Sequence, residues 1–290
     1  MDFRAILMGL AFAFMWSSAF ASARIIVMAA PPISALSLRF LISGLLGVII
    51  ARMLGQSWDL TPRQWRATII FGISQNALYL GLNFVAMQTV EASLAAIIAS
   101  TMPLLVALAG WIFFRDRLSW VATLGLIAGV IGVAIIMGSR LSGGVDIYGL
   151  ALCVAGVLAL TLATLTVRSA MSGGNFLMIV GLQMLVGSAA LSGVAVATET
   201  LIIDWSWQLV VAFIYTTLVP GLAATLVWFM LVERIGATRA ATFHFLNPFL
   251  GVAIAAALLG ESLRFHDVIG VAVIMAGILA VQLARQTPRS

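Results

Sequence analysis

The sequence predicts an all-α polytopic membrane protein whose ten transmembrane helices form two inverted-topology repeats of five helices each. Three observations predict it. Apolar residues make up 63% of the chain against 9% charged; hydrophobic runs of about 20 residues follow one another; and the second half repeats the first at an offset of 145 residues, as from Ala92 to Ala237. At a mean hydropathy of +1.16, the chain cannot hide its apolar surface in an ordinary soluble core, so lipid must cover it.

Hydrophobic runs define spans at about 5–28, 33–53, 67–88, 91–114, 119–138, 147–168, 175–197, 208–232, 238–260 and 266–284, each long enough to cross a hydrocarbon core of about 30 Å. The runs are continuous where barrel strands would alternate, which excludes a β-barrel. The longest connection is the stretch from Arg52 to Arg66, so no soluble domain is left over.

Between Thr89 and Val133, Ala92, Pro103, Asp116, Leu118, Gly125 and Gly132 recur later as Ala237, Pro248, Glu261, Leu263, Gly270 and Gly277. One offset serves all six pairs and assigns residues 1–138 and 146–285 to the two repeats. Repeats of this kind mark secondary transporters. Because five is odd, the second copy enters the membrane from the opposite side: span four starts outside at Glu91, and its counterpart, span nine, starts inside near Arg239. Such a pair can exchange roles between an inward-open and an outward-open state, which is alternating access.

Lysine is absent, and orientation follows from arginine. With the N-terminus in the cytoplasm, Arg4, Arg52, Arg63, Arg66, Arg115, Arg117, Arg168, Arg234, Arg239, Arg285 and Arg289 lie at cytoplasmic ends, and only Arg140 and Arg264 at outer ends. The positive-inside rule then sets both termini in the cytoplasm. The net charge of +5 is an insertion signal and not a nucleic-acid footprint.

Span one holds Trp16 near its middle, whereas the other seven tryptophans sit at or close to span ends, as an interfacial belt requires. Its small-residue run Ala19 to Ala23 also fits a signal-peptide cleavage site, but Asp2 offsets Arg4 and removing this span would leave unequal halves. Arg24 is close enough to the outer end to snorkel; Arg39, deeper in span two, either holds an outer gate or braces helix packing. Span three carries Ser74, Gln75, Asn76, Tyr79 and Asn83. Asn76, Tyr79 and Asn83 share one helix face, which either bonds to neighbouring helices or lines water.

Spans four and nine each carry a mid-depth proline, Pro103 and Pro248, which frees the carbonyls of Ala99 and His244. Each is either a packing kink or a hinge beside a wet cavity. Gly125, Gly129 and Gly132 lie on one face of span five, with Gly270 and Gly277 at equivalent places in span ten, so both spans are expected to pack closely. The lone Cys153 in span six offers no disulfide or metal pattern and reads as a small packing residue. His244, one turn before Asn247-Pro248, either binds substrate or titrates during transport, or is a satisfied structural histidine.

Trp16-Ser17-Ser18-Ala19-Phe20, Leu38-Arg39-Phe40, the small-residue run to Pro103 with Asp116 beyond it, and the second copy from Gly236 through Asn247-Pro248 to Gly260-Glu261 form an ordered set over nearly the whole chain. In order and spacing this set resembles the EamA-type branch of the drug/metabolite transporter superfamily. Within that branch the chain looks most like exporters of aromatic and other neutral amino acids. Its first repeat departs from the family's usual glycine-glutamate pair by carrying Arg115-Asp116-Arg117. The resemblance implies a central cavity surrounded by helices one, three, four, six, eight and nine. On those helices the candidate substrate-cavity residues are Trp16, Ser17, Asn76, Tyr79, Asn83, Ser100, Thr164, Trp228, His244 and Asn247, with Arg39, Pro103 and Pro248 as gating or hinge residues.

All ten carboxylates lie at span ends or in loops, so no buried acid is expected to bind a cation or a proton. A proton-coupled exporter of cationic drugs thereby loses ground to a carrier of zwitterionic or anionic small molecules, which is a facilitator if nothing titrates. No His-Glu-x-x-His, Gly-x-Ser-x-Gly or embedded aspartate pair is present, so neither an enzyme nor a metal or cofactor site is expected. A channel would need a ring-forming signature that the sequence lacks. The expected partners are a small-molecule substrate and the lipid bilayer of a bacterial-type cytoplasmic (inner) membrane, with no nucleic acid. Both halves of the pseudo-symmetric unit lie in one chain, so a monomer is expected to suffice.

Overall fold

The computed structural model describes residues 3–115, 118–167 and 175–284. Asp116 of the repeat, and Arg117, Arg168, Arg285 and Arg289 of the orientation argument, lie outside the described residues. Among the described residues, ten helices are long and apolar enough to cross a membrane: α1 (Phe3–Val27), α2 (Pro32–Met53), α3 (Pro62–Ala86), α4 (Ala92–Phe113), α5 (Trp120–Ser142), α6 (Ile147–Leu165), α7 (Phe176–Thr198), α8 (Trp207–Ile235), α9 (Arg239–Leu259) and α10 (Phe265–Ala284). No strand occurs among the described residues. The fold is an all-α membrane architecture of two inverted-topology five-helix repeats.

Helix α3 begins earlier than hydropathy alone indicates. Thr61 Oγ1 accepts the Gln64 N–H at 3.3 Å, Gln64 Oε1 accepts the Thr61 N–H at 2.9 Å, and Pro62 takes the first helical position. This reciprocal capping box overrides the polar composition of the first turn and shortens the preceding connection to residues 54–61. The last turns of α4 and α9 end on left-handed residues at equivalent repeat positions, Arg115 with φ 55° and Gly260 with φ 67°. Glycine takes that conformation freely, and arginine only at a cost. The departure from glycine in the first repeat is therefore a local strain at that helix end.

The helices form two compact units, each drawn from both halves of the sequence. The first comprises Met1–Ala21, Thr89–Leu150 and Ala223–Ser290, and the second Ser22–Gln88 and Ala151–Leu222. In the first unit α5 packs along α10, and α4 against α9. In the second α2 packs along α7, and α3 also packs on α7. The pairs α5 and α10, α4 and α9, and α2 and α7 are repeat equivalents, so each unit is organised around pairs of counterparts.

Glycine makes the α5–α10 contact possible. A Cβ on Gly277 would lie 2.6 Å from the Gly125 carbonyl oxygen, and one on Gly132 would lie 2.8 Å from that of Gly270. Spans five and ten do pack closely, and they do so on each other, backbone against backbone. Cys153 is buried and free, as a packing residue should be.

Several helix starts are clipped by side chains from distant segments of the same unit. Glu199 accepts the N–H groups of Ile33 and Ser34 at 2.8 and 2.7 Å. Gln56 accepts the N–H of Met178, the repeat equivalent of Ile33, at 3.0 Å. In the first unit Glu261 accepts the N–H groups of Ala92 and Ser93 at 2.7 and 2.9 Å. These side chains satisfy donors that have no partner within the helix, and the carboxylates also complement the helix dipole. Ahead of α6, the Thr89 hydroxyl and the Gly149 and Tyr148 N–H groups hold the Asp146 carboxyl below the usual carboxylate range.

Candidate functional site

In the first unit, α9 breaks where Pro248 has no N–H to donate. The winding tightens to a 3-10 turn over Thr242–Leu246, and an α-helical segment restarts at Asn247–Leu259 with Pro248 in its first turn. The His244 carbonyl, expected to be freed, instead accepts the Asn247 N–H. The tighter winding brings the donor one residue earlier, which corrects that expectation. Helix α4 breaks at the equivalent place, at Thr101 between Ala92–Ser100 and Met102–Phe114, with Pro103 in the first turn of the second segment. There the Thr101 N–H donates to the Ile98 carbonyl at 3.1 Å. Ser100 donates to the Ala96 carbonyl at 2.6 Å. Both prolines are buried.

Around the α9 break an aromatic cluster encloses His244. Its ring lies 5.3 Å from Phe12 and 6.3 Å from Trp16, both edge to face, and 5.3 Å from Trp228. Phe12 also packs on Trp16 at 5.7 Å and on Trp228 at 4.7 Å. Hydropathy ends span eight near residue 232 and so puts Trp228 close to a span end; α8 runs on to Ile235, and Trp228 lies in this cluster. Asn247 Nδ2 contacts His244 Nδ1 at 2.9 Å, and the buried Ser17 hydroxyl donates to the Asn247 carbonyl at 3.4 Å. Trp16, Ser17, Trp228, His244 and Asn247 are therefore brought together.

The second unit places the polar residues of α3 on a π-helical stretch, Gly72–Tyr79, a winding that hydropathy does not signal. Asn76 is 3% exposed and donates to the Gln183 carbonyl of α7 at 2.9 Å. Asn83 donates to the Tyr79 carbonyl of its own helix at 2.8 Å, and Tyr79 is buried. Of the two roles open for this face, the Asn76 amide makes an interhelical bond. Thr164 is half-buried in α6 and donates to the Leu160 carbonyl at 2.8 Å.

Helix α8 has a π-helical stretch at Val219–Ala223, which corresponds through the repeat to part of the α3 stretch. Pro220 lies in it and cannot bond the carbonyl of Thr216 four residues earlier. Arg39 supplies the missing donor, with Nε 3.2 Å from the Thr216 carbonyl, while its guanidinium lies 5.1 Å from the Phe40 ring centroid. Ser43, one turn along α2, donates to the Thr217 carbonyl at 3.2 Å. That bond ties α2 to α8 within the second unit. Arg24 donates to the Met87 carbonyl, which ties it to the end of α3.

One charged group was missed in the sequence. Asp267 is 1% exposed and accepts from Arg140 at 2.7 and 3.3 Å; Arg140, 4% exposed, also pairs with Glu91. The expectation that no acid is buried is therefore corrected. Asp267 lies in the first turn of α10, which composition reads as a span end, but Arg140 on α5 covers and neutralises it. The signal available in the sequence was an arginine and an aspartate at the same expected membrane face.

Ten spans among the described residues, in two inverted repeats with broken helices at equivalent places, define a membrane-transporter architecture. The chain belongs to the EamA-like transporter family, whose model matches residues 3–138 and 147–283. It is 25% identical over 253 residues to "Uncharacterized transporter YvbV" of Bacillus subtilis, covering 87% of this chain and 82% of that protein. An "Uncharacterized transporter" of Archaeoglobus fulgidus is 26% identical over 268 residues, covering 92% and 94%. "Protein PecM" of Dickeya dadantii is 21% identical over 245 residues, covering 81% and 79%. A solved crystal structure of a protein matches with a TM-score of 0.71 at 19% identity, covering 98% of this chain and 99% of that one. At that identity the likeness shows the fold alone.

Proposed function

We propose that this EamA-family transporter exports small metabolites, with neutral and aromatic amino acids as its substrates, by alternating access between its inverted repeats. The observation that carries the reading is the pair of equivalent breaks at Thr101 and at Thr242–Leu246, each followed by a buried proline. Broken helices at mid-membrane supply irregular backbone where cargo can bind. Beside the second break, Trp16, Trp228 and His244 offer ring surface, and Ser17 and Asn247 offer polar groups, a mixture suited to a molecule with an apolar side chain and charged ends. The protein works in a bacterial-type inner membrane with both termini in the cytoplasm, a monomer suffices, and no cofactor is required.

The burial of Asp267 favours a second reading, export of cationic compounds in exchange for protons, since such exchange needs an embedded acid. Its pairing with Arg140 weighs against that reading. Counterflow in liposomes of purified protein separates the two. The amino-acid reading expects trans-stimulated uptake of leucine, phenylalanine or threonine without an imposed proton gradient. Uptake confined to quaternary ammonium drugs, and dependent on that gradient, would replace it.

A further inference from the structure

Asn247 carries an unpartnered acceptor in an otherwise fully used residue. Its side chain is 7% exposed, and Oδ1 has no hydrogen-bond partner among the described residues. Its other polar groups are engaged: Nδ2 with His244 Nδ1 at 2.9 Å, the backbone N–H with the His244 carbonyl, and the backbone carbonyl with the Ser17 hydroxyl at 3.4 Å. The amide is therefore held by its own helix break and by α1. The amide orientation follows the His244 tautomer: with Nδ1 as acceptor, Nδ2 faces the ring, which is wedged among Phe12, Trp16 and Trp228, and Oδ1 is the atom left unpaired.

Folded proteins leave few buried acceptors unpaired, because each costs about 1–3 kcal/mol. An acceptor held open at a helix break, in a chain that binds cargo, is a site waiting for a donor. A carbonyl oxygen repels carboxylate and attracts N–H, and neighbouring aromatic rings favour a cationic donor over a neutral one. Resting on the transport reading above, we propose that Asn247 Oδ1 recognises the ammonium group of the cargo through an N–H bond. The selected class is then protonated primary, secondary and tertiary amines that keep at least one N–H, including α-amino acids. Quaternary ammonium compounds, which have none, are excluded.

The test is counterflow of L-leucine and L-phenylalanine with their N,N-dimethyl and N,N,N-trimethyl derivatives. Size alone predicts a gradual decline along the series. Recognition of N–H predicts a step between the dimethyl form, which keeps one donor when protonated, and the trimethyl form. In the wild-type protein that step should be about ten- to a hundred-fold, the worth of a hydrogen bond to a charged group. Asn247→Leu should lower flux of the parent amino acids and the dimethyl forms to the level of the trimethyl forms, while Asn247→Asp, which keeps an acceptor, should keep the step. Equal wild-type flux of dimethyl and trimethyl forms would overturn the proposal even if no variant folds, and so would a step that survives in Asn247→Leu. Absence of flux for both parent amino acids would remove the transport reading together with this proposal. Flux without the step removes this proposal alone.

Discussion

Arg39 donates to the carbonyl of Thr216, the acceptor in α8 whose helical donor is lost to Pro220. An arginine that the sequence leaves open between an outer gate and a packing brace is thus bonded to a defect in a neighbouring helix. Replacing it with Arg39→Leu should destabilise the protein by about 1–3 kcal/mol, the cost of an orphaned buried acceptor. Adding Pro220→Ala, which restores an N–H near that carbonyl, should recover part of the loss. Thermal denaturation in detergent of the two single variants and the double variant measures the coupling. Purely additive effects would remove the link.

The Arg140–Asp267 pair should behave as a buried ion pair. Asp267→Leu alone leaves the buried Arg140 with only the part-exposed Glu91 as counter-charge and should cost up to about 3–5 kcal/mol, whereas Arg140→Met with Asp267→Leu should recover most of it. Melting in detergent reads both. If the double variant is as unstable as the single, the pair contributes through geometry that hydrophobic packing cannot replace.

Glycine substitutions should sort by what a methyl group would meet. Gly277→Ala points a Cβ at the Gly125 carbonyl and the Gly129 backbone and should cost about 1–3 kcal/mol through overpacking. Gly138→Ala, on the same α5–α10 pair but with nothing within 4 Å, should be neutral or slightly stabilising. Thermal denaturation of both in the same detergent checks the contrast.

Orientation gives a topological prediction. A reporter active only in the cytoplasm should work when fused after Ser290 or inserted in the connection at residues 54–61, and should fail in the connection at residues 199–206. Activity at the last site would reverse the proposed placement of the termini.

Pro103→Ala and Pro248→Ala should each fold and insert yet slow transport, because each lets a broken helix become continuous and biases the two access states unequally. Cysteine probes beside the breaks should change accessibility in opposite senses in the two variants. Wild-type flux in both would leave the prolines as packing kinks.

Those features that repeat or are long were legible in the sequence. Hydropathy located ten spans, the 145-residue offset from Pro103 to Pro248 located both breaks, and glycine spacing indicated that α5 and α10 each pack closely, though not that they do so on each other. The π-helical stretches were not legible, because Gly72–Tyr79 and Val219–Ala223 have the hydropathy of ordinary helix and differ only in winding. The bond from Arg39 reaches Thr216, 177 positions away, and no periodicity reports that distance. Asp267 was hidden for a related reason: beside Arg264 and His266 it looks like an interfacial cluster, and only its partner on α5 reveals that it is enclosed. The grouping of Phe12, Trp16 and Trp228 around His244 depends on helices α1, α8 and α9 meeting, which a single sequence does not state.

The reciprocal clips at Ile33 and Met178 have a consequence in time. Glu199, which closes the start of α2, is made long after α2 itself, whereas Gln56, which closes the start of α7, is already present when α7 appears. At bacterial to eukaryotic elongation speeds, the 166 residues between Ile33 and Glu199 occupy the ribosome for about 8–33 s. During that interval the first half waits in the membrane with an open helix end. The second half arrives to a partner that is ready for it, so a newborn chain cut short before Glu199 should be the form most exposed to membrane quality-control proteases.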